Sequence, residues 1–173
     1  MARWGIPELL NLGTARFDPS LISSDFFLYN IYKATVGRGV LSVGGDSGSS
    51  AVVYAHCASE RYGSNGSVTV FAANPSLAVV TLQVSFLGRP GLTEPRMEWI
   101  LTAPGGDLAS RTPVLNGDRE RPLQLGGDGS LPSMDGAFCG GAAGCVGGLR
   151  LPPRSQGFFV LLAAQASAVC NGE

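Results

Sequence analysis

After Gly37 the apolar residues of this chain recur with a period of two, in short segments separated by turn-forming residues. That rhythm admits few folds, because strands that alternate inward and outward side chains must be layered or closed to bury one face. The cleanest instance is Val80, Leu82, Val84 and Phe86 alternating with Thr81, Gln83 and Ser85, the pattern of a strand with one wet face. Further strands are expected at 40–43, 51–57, 67–73, 96–102 and 149–151. Asn116-Gly117, between apolar segments 112–115 and 122–125, is a strong signal for a tight hairpin turn. The near-continuous apolar run 158–164 reads as a central strand buried on both faces. With 25 glycines for turns, 14% charged residues and 45% hydrophobic residues, the chain holds enough apolar material to offset the entropy of folding. About eight short strands at near-regular spacing imply an all-β antiparallel sandwich or barrel.

The segment before Gly37 differs. Residues 1–22 lack periodicity and read as an irregular lead-in, after which Ser23 or Ser24 can cap a helix whose first turn carries Asp25. Phe27, Leu28, Ile31, Tyr32, Ala34 and Val36 form its apolar stripe, and Gly37 is read as a left-handed terminator. A one-sided helix has to lie against something. Either the β-structure of this chain or a large missing partner satisfies that need. The 173 residues suffice for one domain but not for a (β/α)₈ barrel, which takes about 250.

Charge and hydropathy remove several functions. A formal net charge of −1 provides no footprint for nucleic acid or anionic membrane, and argues against tight binding of a sulfated polysaccharide by this chain alone. The longest apolar stretch, 157–169, is too short to span a bilayer and contains Gln165, so no transmembrane segment is expected. Pro7 and Glu8 interrupt the only candidate leader, so no signal peptide is expected; the chain is cytosolic, or its true start lies upstream.

Candidate chemistry is sparse. Gly45-Asp46-Ser47-Gly48 resembles the nucleophile segment of trypsin-like proteases, but the single histidine, His56, follows it closely where that chemistry places its base far upstream. The segment reads as a loop, and His56 as a strand residue. Cys57, Cys139, Cys145 and Cys170 lack the paired short spacings of a zinc site, so structural disulfide bonding is the better reading; no metal and no cofactor are expected. Glycosidases need two carboxyl groups flanking the scissile bond. Asp46, Asp107, Asp118, Asp128 and Asp135 lie in turns, and Glu98, the one acid in a convincing strand, is expected to face solvent. Asn65-Gly66-Ser67 is a glycosylation sequon, relevant to an exported chain.

Several segments, taken in order, resemble the C-terminal part of the heparanase family, glycoside hydrolase family 79. These are Phe17-Asp18-Pro19, Asp25-Phe26-Phe27, the run from Val36 through Gly37, Arg38, Gly39, Val40 and Leu41, Tyr54-Ala55-His56-Cys57, Leu115-Asn116-Gly117, Leu131-Pro132, and Phe158-Phe159-Val160 with Ala168-Val169-Cys170. The resemblance implies an antiparallel β-sandwich (38–173), preceded by a lead-in and a helix left over from a (β/α)₈ barrel (1–37). It implies that this helix presents its stripe to that barrel. It also implies a disulfide between Cys57 and Cys170. Cys139 and Cys145 sit in a glycine-rich insertion foreign to the family pattern, and pair with each other or stay free. The family's substrate-contacting Gly-Asn-Tyr aligns with Gly5-Ile6-Pro7, so Gly5 alone carries over to sugar binding, and Glu8 nearby would repel a uronate.

The family's catalytic acid follows an asparagine, and no Asn-Glu pair occurs here. The implied function is an accessory part of an endo-β-glucuronidase acting on uronic-acid glycans, its partners a catalytic barrel and the glycan, its location extracellular, lysosomal or membrane-associated. The alternative is a stand-alone, non-catalytic carbohydrate-binding or interaction module with an exposed aromatic platform, for which Trp99 and Tyr62 are the candidates.

Overall fold

The computed structural model describes residues 22–45, 50–62, 66–86, 89–90, 95–140 and 147–170. A helix, α1 (Ser24–Thr35), is followed by β1 (Val36–Leu41), β2 (Val52–Ala58), β3 (Val68–Asn74), β4 (Val80–Leu82), β5 (Ser85–Phe86) and β6 (Arg89–Pro90). Then come β7 (Arg96–Thr102), β8 (Val114–Leu115), β9 (Ala137–Cys139), β10 (Leu149–Leu151), β11 (Ser155–Leu161) and a helical turn at Ser167–Cys170. Seven strands form one antiparallel sheet in the order β1-β2-β3-β11-β7, with the far edge of β7 shared by β8 and β9. The expected all-β class holds.

The apolar run near the C-terminus lies at the centre of this sheet, as its composition requires. Phe158, Phe159, Val160 and Leu161 are all at 0% exposure, and each such burial stabilises the fold by about 1.5–3 kcal/mol. Phe158 and Val160 join a core shared with α1, whereas Phe159 and Leu161 join a second core with Val68, Val70, Leu149 and Leu151. The sheet is therefore covered on both faces, by α1 on one and by the two-stranded β4–β10 ladder on the other.

Across the helix face runs an aromatic row in register: Tyr54 opposite Phe71, Phe71 opposite Phe158, Phe158 opposite Trp99. Phe71 and Phe158 rings lie 4.8 Å apart, and Tyr54 stacks on Phe71 at 6.2 Å. Such cross-strand aromatic pairs add stability beyond area burial.

The stripe of α1 packs on the chain's own sheet: Phe27, Leu28 and Ile31 are buried with Trp99, Leu101, Leu115 and Phe158. The expected presentation of that stripe to a barrel is corrected by this packing. The helix also ends differently from expectation. Val36 is already extended (φ −96°, ψ 126°) and leads directly into β1, with no left-handed residue. A glycine terminator normally supplies donors for the last carbonyls of a helix, but here tertiary contacts do so. The carbonyl of Ala34 accepts from Ser59 Oγ at 2.6 Å, and that of Thr35 accepts from Ser59 N at 2.9 Å and Thr69 Oγ1 at 2.6 Å. Gly37 is needed for a different reason: a Cβ there would stand 2.6 Å from the Ala58 carbonyl oxygen.

Other departures also arise from tertiary pairing. The alternating run 80–86 keeps its in–out burial but is divided between β4, paired with β10, and β5, paired with β6. The glycine-rich stretch contributes β9, which sequence periodicity did not reveal. Glu98 does not face open solvent. It sits opposite Phe159 on the face covered by β4–β10, half-buried, and accepts a 2.6 Å hydrogen bond from Nε of buried Arg96.

The Asn116-Gly117 turn forms, with φ of 50° and 78°, the left-handed values such a turn demands, but not the expected hairpin: 122–125 is no strand, and β8 pairs with β7 instead. The Asn116 side chain does more. Its Oδ1 accepts from Ile100 N at 2.8 Å and its Nδ2 donates to the Glu98 carbonyl at 3.1 Å, so the amide extends the ladder along β7.

Candidate ligand cleft and aromatic face

One cleft of about 200 Å³ opens where three elements meet on the helix face: α1, the turn after β2, and the loop preceding β9. The turn is fixed by the Ser59 contacts that cap α1 and by Tyr62 N donating to the Ser59 carbonyl at 2.8 Å. Tyr62 then meets Trp99 edge-on, with ring centroids 5.6 Å apart, and the Arg61 guanidinium lies 5.5 Å from the Tyr62 centroid. On the loop side, Trp99 Nε1 donates to the Met134 carbonyl at 2.9 Å. Gly136 rests on the indole so closely that a Cβ would stand 2.5 Å from Trp99 Cε2. Asp135 accepts from Ser133 Oγ at 2.6 Å. Ile31, Ala34, Trp99 and Met134 supply its apolar lining, and Asn30, Arg61 and Asp135 supply polar groups.

Beyond α1 the same sheet face exposes several of its described side chains. Tyr54 is 55% exposed, with Val40 and Val52 exposed beside it, and Tyr29 and Tyr32 exposed on the adjoining helix. His56 lies on β2 opposite Val40, its ring 6.3 Å from that of Tyr32. Its Nδ1 is buried without a hydrogen-bond partner. The strand placement matches the sequence reading.

The expected aromatic platform is corrected by these positions. Trp99 is 3% exposed, locked in the core between α1 and the loop at Met134, and Tyr62 is half-buried against it. Among the described residues the exposed rings are instead Tyr29, Tyr32, Tyr54 and, on β9, Phe138. Tyr54 was legible only as a strand residue, because strand alternation does not say how far a covering helix reaches.

Cys57 and Cys170 are joined by a disulfide, with Cα atoms 5.4 Å apart. Cys139 is disulfide-bonded as well, to a partner outside the described residues, so it does not stay free. Gly5, Asp46, Ser47, Asn65 and Cys145 lie outside the described residues. Among the described residues no group of three metal-ligating side chains gathers, and no helix is long and apolar enough to cross a membrane. Compared with protein-family models and with curated proteins, the chain matches none.

Proposed function

We propose that this chain is the accessory β-sandwich part of a heparanase-like endo-β-glucuronidase, a hydrolase of O-glycosyl bonds in uronic-acid glycans, whose catalytic barrel it braces. In this reading the seven-stranded sheet and the β4–β10 layer are the two sheets of the sandwich. The observation that carries it is the Cys57–Cys170 bond, the pairing that the family resemblance names among four cysteines. The exposed face around Tyr54, Val40 and Val52 supports it further, as a surface of the kind a neighbouring domain covers.

The test uses the purified chain with and without a separately expressed heparanase-type barrel. Expected are no turnover of an aryl β-glucuronide by the chain alone, association with the barrel in sedimentation, and weaker association for Tyr54→Ser. Turnover by the chain alone, abolished by changing one of its own carboxylates, would overturn the proposal, as would failure to associate.

The same face favours a second reading, a stand-alone carbohydrate-binding or interaction module in which Tyr54 and Tyr32 replace Trp99 as the contact rings. Glycan-array binding that Tyr54→Ser abolishes, without any association with a barrel, is the outcome this reading requires.

A further inference from the structure

The turn after β8 pairs a reactive sequence with an unusual restraint. An asparagine followed by glycine is prone to lose its side-chain amide, because glycine has no Cβ to obstruct attack by its own backbone nitrogen. Here both residues are exposed, a Cβ on Gly117 would meet nothing within 4 Å, and Gly117 N makes no hydrogen bond among the described residues. Solvent and the attacking nitrogen are therefore both at hand.

The carbon to be attacked is held instead. Asn116 N donates to the Ile100 carbonyl at 2.8 Å, Asn116 Oδ1 accepts from Ile100 N at 2.8 Å, and Nδ2 donates to the Glu98 carbonyl at 3.1 Å. Asp118 N closes the turn on the Leu115 carbonyl at 3.0 Å. The amide fills the gap on the β7 edge between β8, whose pairing reaches Leu101, and β9, whose pairing reaches Glu98. Ring closure needs the Asn116 backbone to leave its left-handed conformation and the amide to leave β7.

The chemistry balances with water alone. Gly117 N, having lost its proton to solvent, bonds to Asn116 Cγ; the Cγ–Nδ2 bond breaks, and Nδ2 takes up protons and departs as ammonia. Water then adds to either carbonyl of the cyclic imide, leaving aspartate or isoaspartate. Neither product restores the edge. A carboxylate only accepts, so it cannot donate to the Glu98 carbonyl, and isoaspartate adds a main-chain atom to a turn that has no room in its register for one.

We infer that Asn116 is a site of spontaneous deamidation gated by the β7 edge: the amide converts when that edge opens, and the product keeps it from closing as before. The site stands apart from the accessory-domain reading, and association with a barrel has no bearing on it.

The test incubates the purified full chain in mildly alkaline buffer, native and in urea. Asn-Gly also occurs at 65–66 and 171–172, so the readout is by fragment. Arg111 and Arg119 bracket the turn, and trypsin releases 112–119, in which fragment-ion masses place an amide-to-acid change at Asn116. The synthetic peptide of the same residues, with and without urea, corrects for any effect of urea on the chemistry. Conversion is expected in the unfolded chain and in the peptide, and to be slower by about tenfold or more in the native chain, where two side-chain bonds must break first. Equal rates in native and unfolded chain overturn the gate, and no conversion in the unfolded chain overturns the site. Asn116→Asp installs the simpler product. It should speed hydrogen exchange at the amides of residues 100 and 116 by about fivefold or more, with those of Phe159 and Val160 unchanged as evidence of an intact fold. Unaltered exchange at 100 and 116 overturns the claim that the product holds the edge open.

Discussion

Removing the Cys57–Cys170 bond by the double change Cys57→Ala and Cys170→Ala tests what ties the C-terminal helical turn to β2. The bond closes a segment with a sequence separation of 113. On the chain-entropy account a 100-residue loop contributes about 4.7 kcal/mol, and this one slightly more. The native state accommodates the bridge at a specific place: Gly39 on β1 leaves room for it, since a Cβ there would stand 2.6 Å from Cys57 Sγ. Alanine is preferable to serine because Cys57 is buried in the sheet, where a hydroxyl would need a partner. A reductant would not serve, because Cys139 is disulfide-bonded too. Urea unfolding followed by tryptophan fluorescence reads the change, with Trp99 buried in the core as a reporter. The expected loss is about 3–5 kcal/mol, a large fraction of the roughly 5–15 kcal/mol total of a typical domain. The urea dependence should steepen, since the uncrosslinked unfolded chain exposes more surface. A loss under about 1 kcal/mol would refute the loop-entropy reasoning. It would mean that Ala166 N bonding to the Gly66 carbonyl at 2.9 Å, with the contacts around it, already confines the C-terminal turn.

Three further outcomes are expected. Asn116→Gly should cost about 1 kcal/mol through the lost bonds to β7, and Asn116→Ala about 1–2 kcal/mol more because alanine resists the left-handed backbone; equal losses in urea unfolding would show that strain is not the difference. Glu98→Ala should destabilise by about 1.5–3 kcal/mol, through loss of the 2.6 Å charge-assisted bond from the 3%-exposed Arg96, and a calorimetric midpoint unchanged from the parent would show that this bond adds nothing to stability. The Asp128 carboxyl is held below its usual 3.8, chiefly by the Ser130 side chain and then the Ser130 backbone. Its contribution is thus present above the ordinary value and is lost as pH falls through the lower folded value. Ser130→Ala should move its NMR titration upward, and an unmoved midpoint would assign the effect to the backbone alone.

Much of the sheet was legible because its residues obey local rules. The strand 96–102 was read with its bounds. The Asn116-Gly117 turn needed only its own backbone preferences. What escaped depends on contacts distant in sequence. The position of Glu98 required knowing that the opposite face of β7 is covered too, and alternation specifies parity without specifying what lies above each face. β9 is three residues long and rests on pairing with β7, so no periodicity could announce it.

The end of α1 shows the same limit in the other direction. Gly37 satisfied a local rule for stopping a helix, yet Ser59 and Thr69 take the carbonyls that a glycine terminator would serve. Ser59 thereby fixes both the end of α1 and the turn that carries Arg61 and Tyr62. The cleft was illegible for this reason. Its polar groups stand at positions 30, 61 and 135, and only the docking of α1 on the sheet brings them to one rim. Docking and cleft should consequently fail in concert: weakening the Ser59 contact, as in Ser59→Ala, should perturb the Arg61 environment and the helix terminus while leaving the distant β4–β10 core intact. A variant that loosened the helix end without moving Arg61 would separate the two and remove the structural basis on which the site is built.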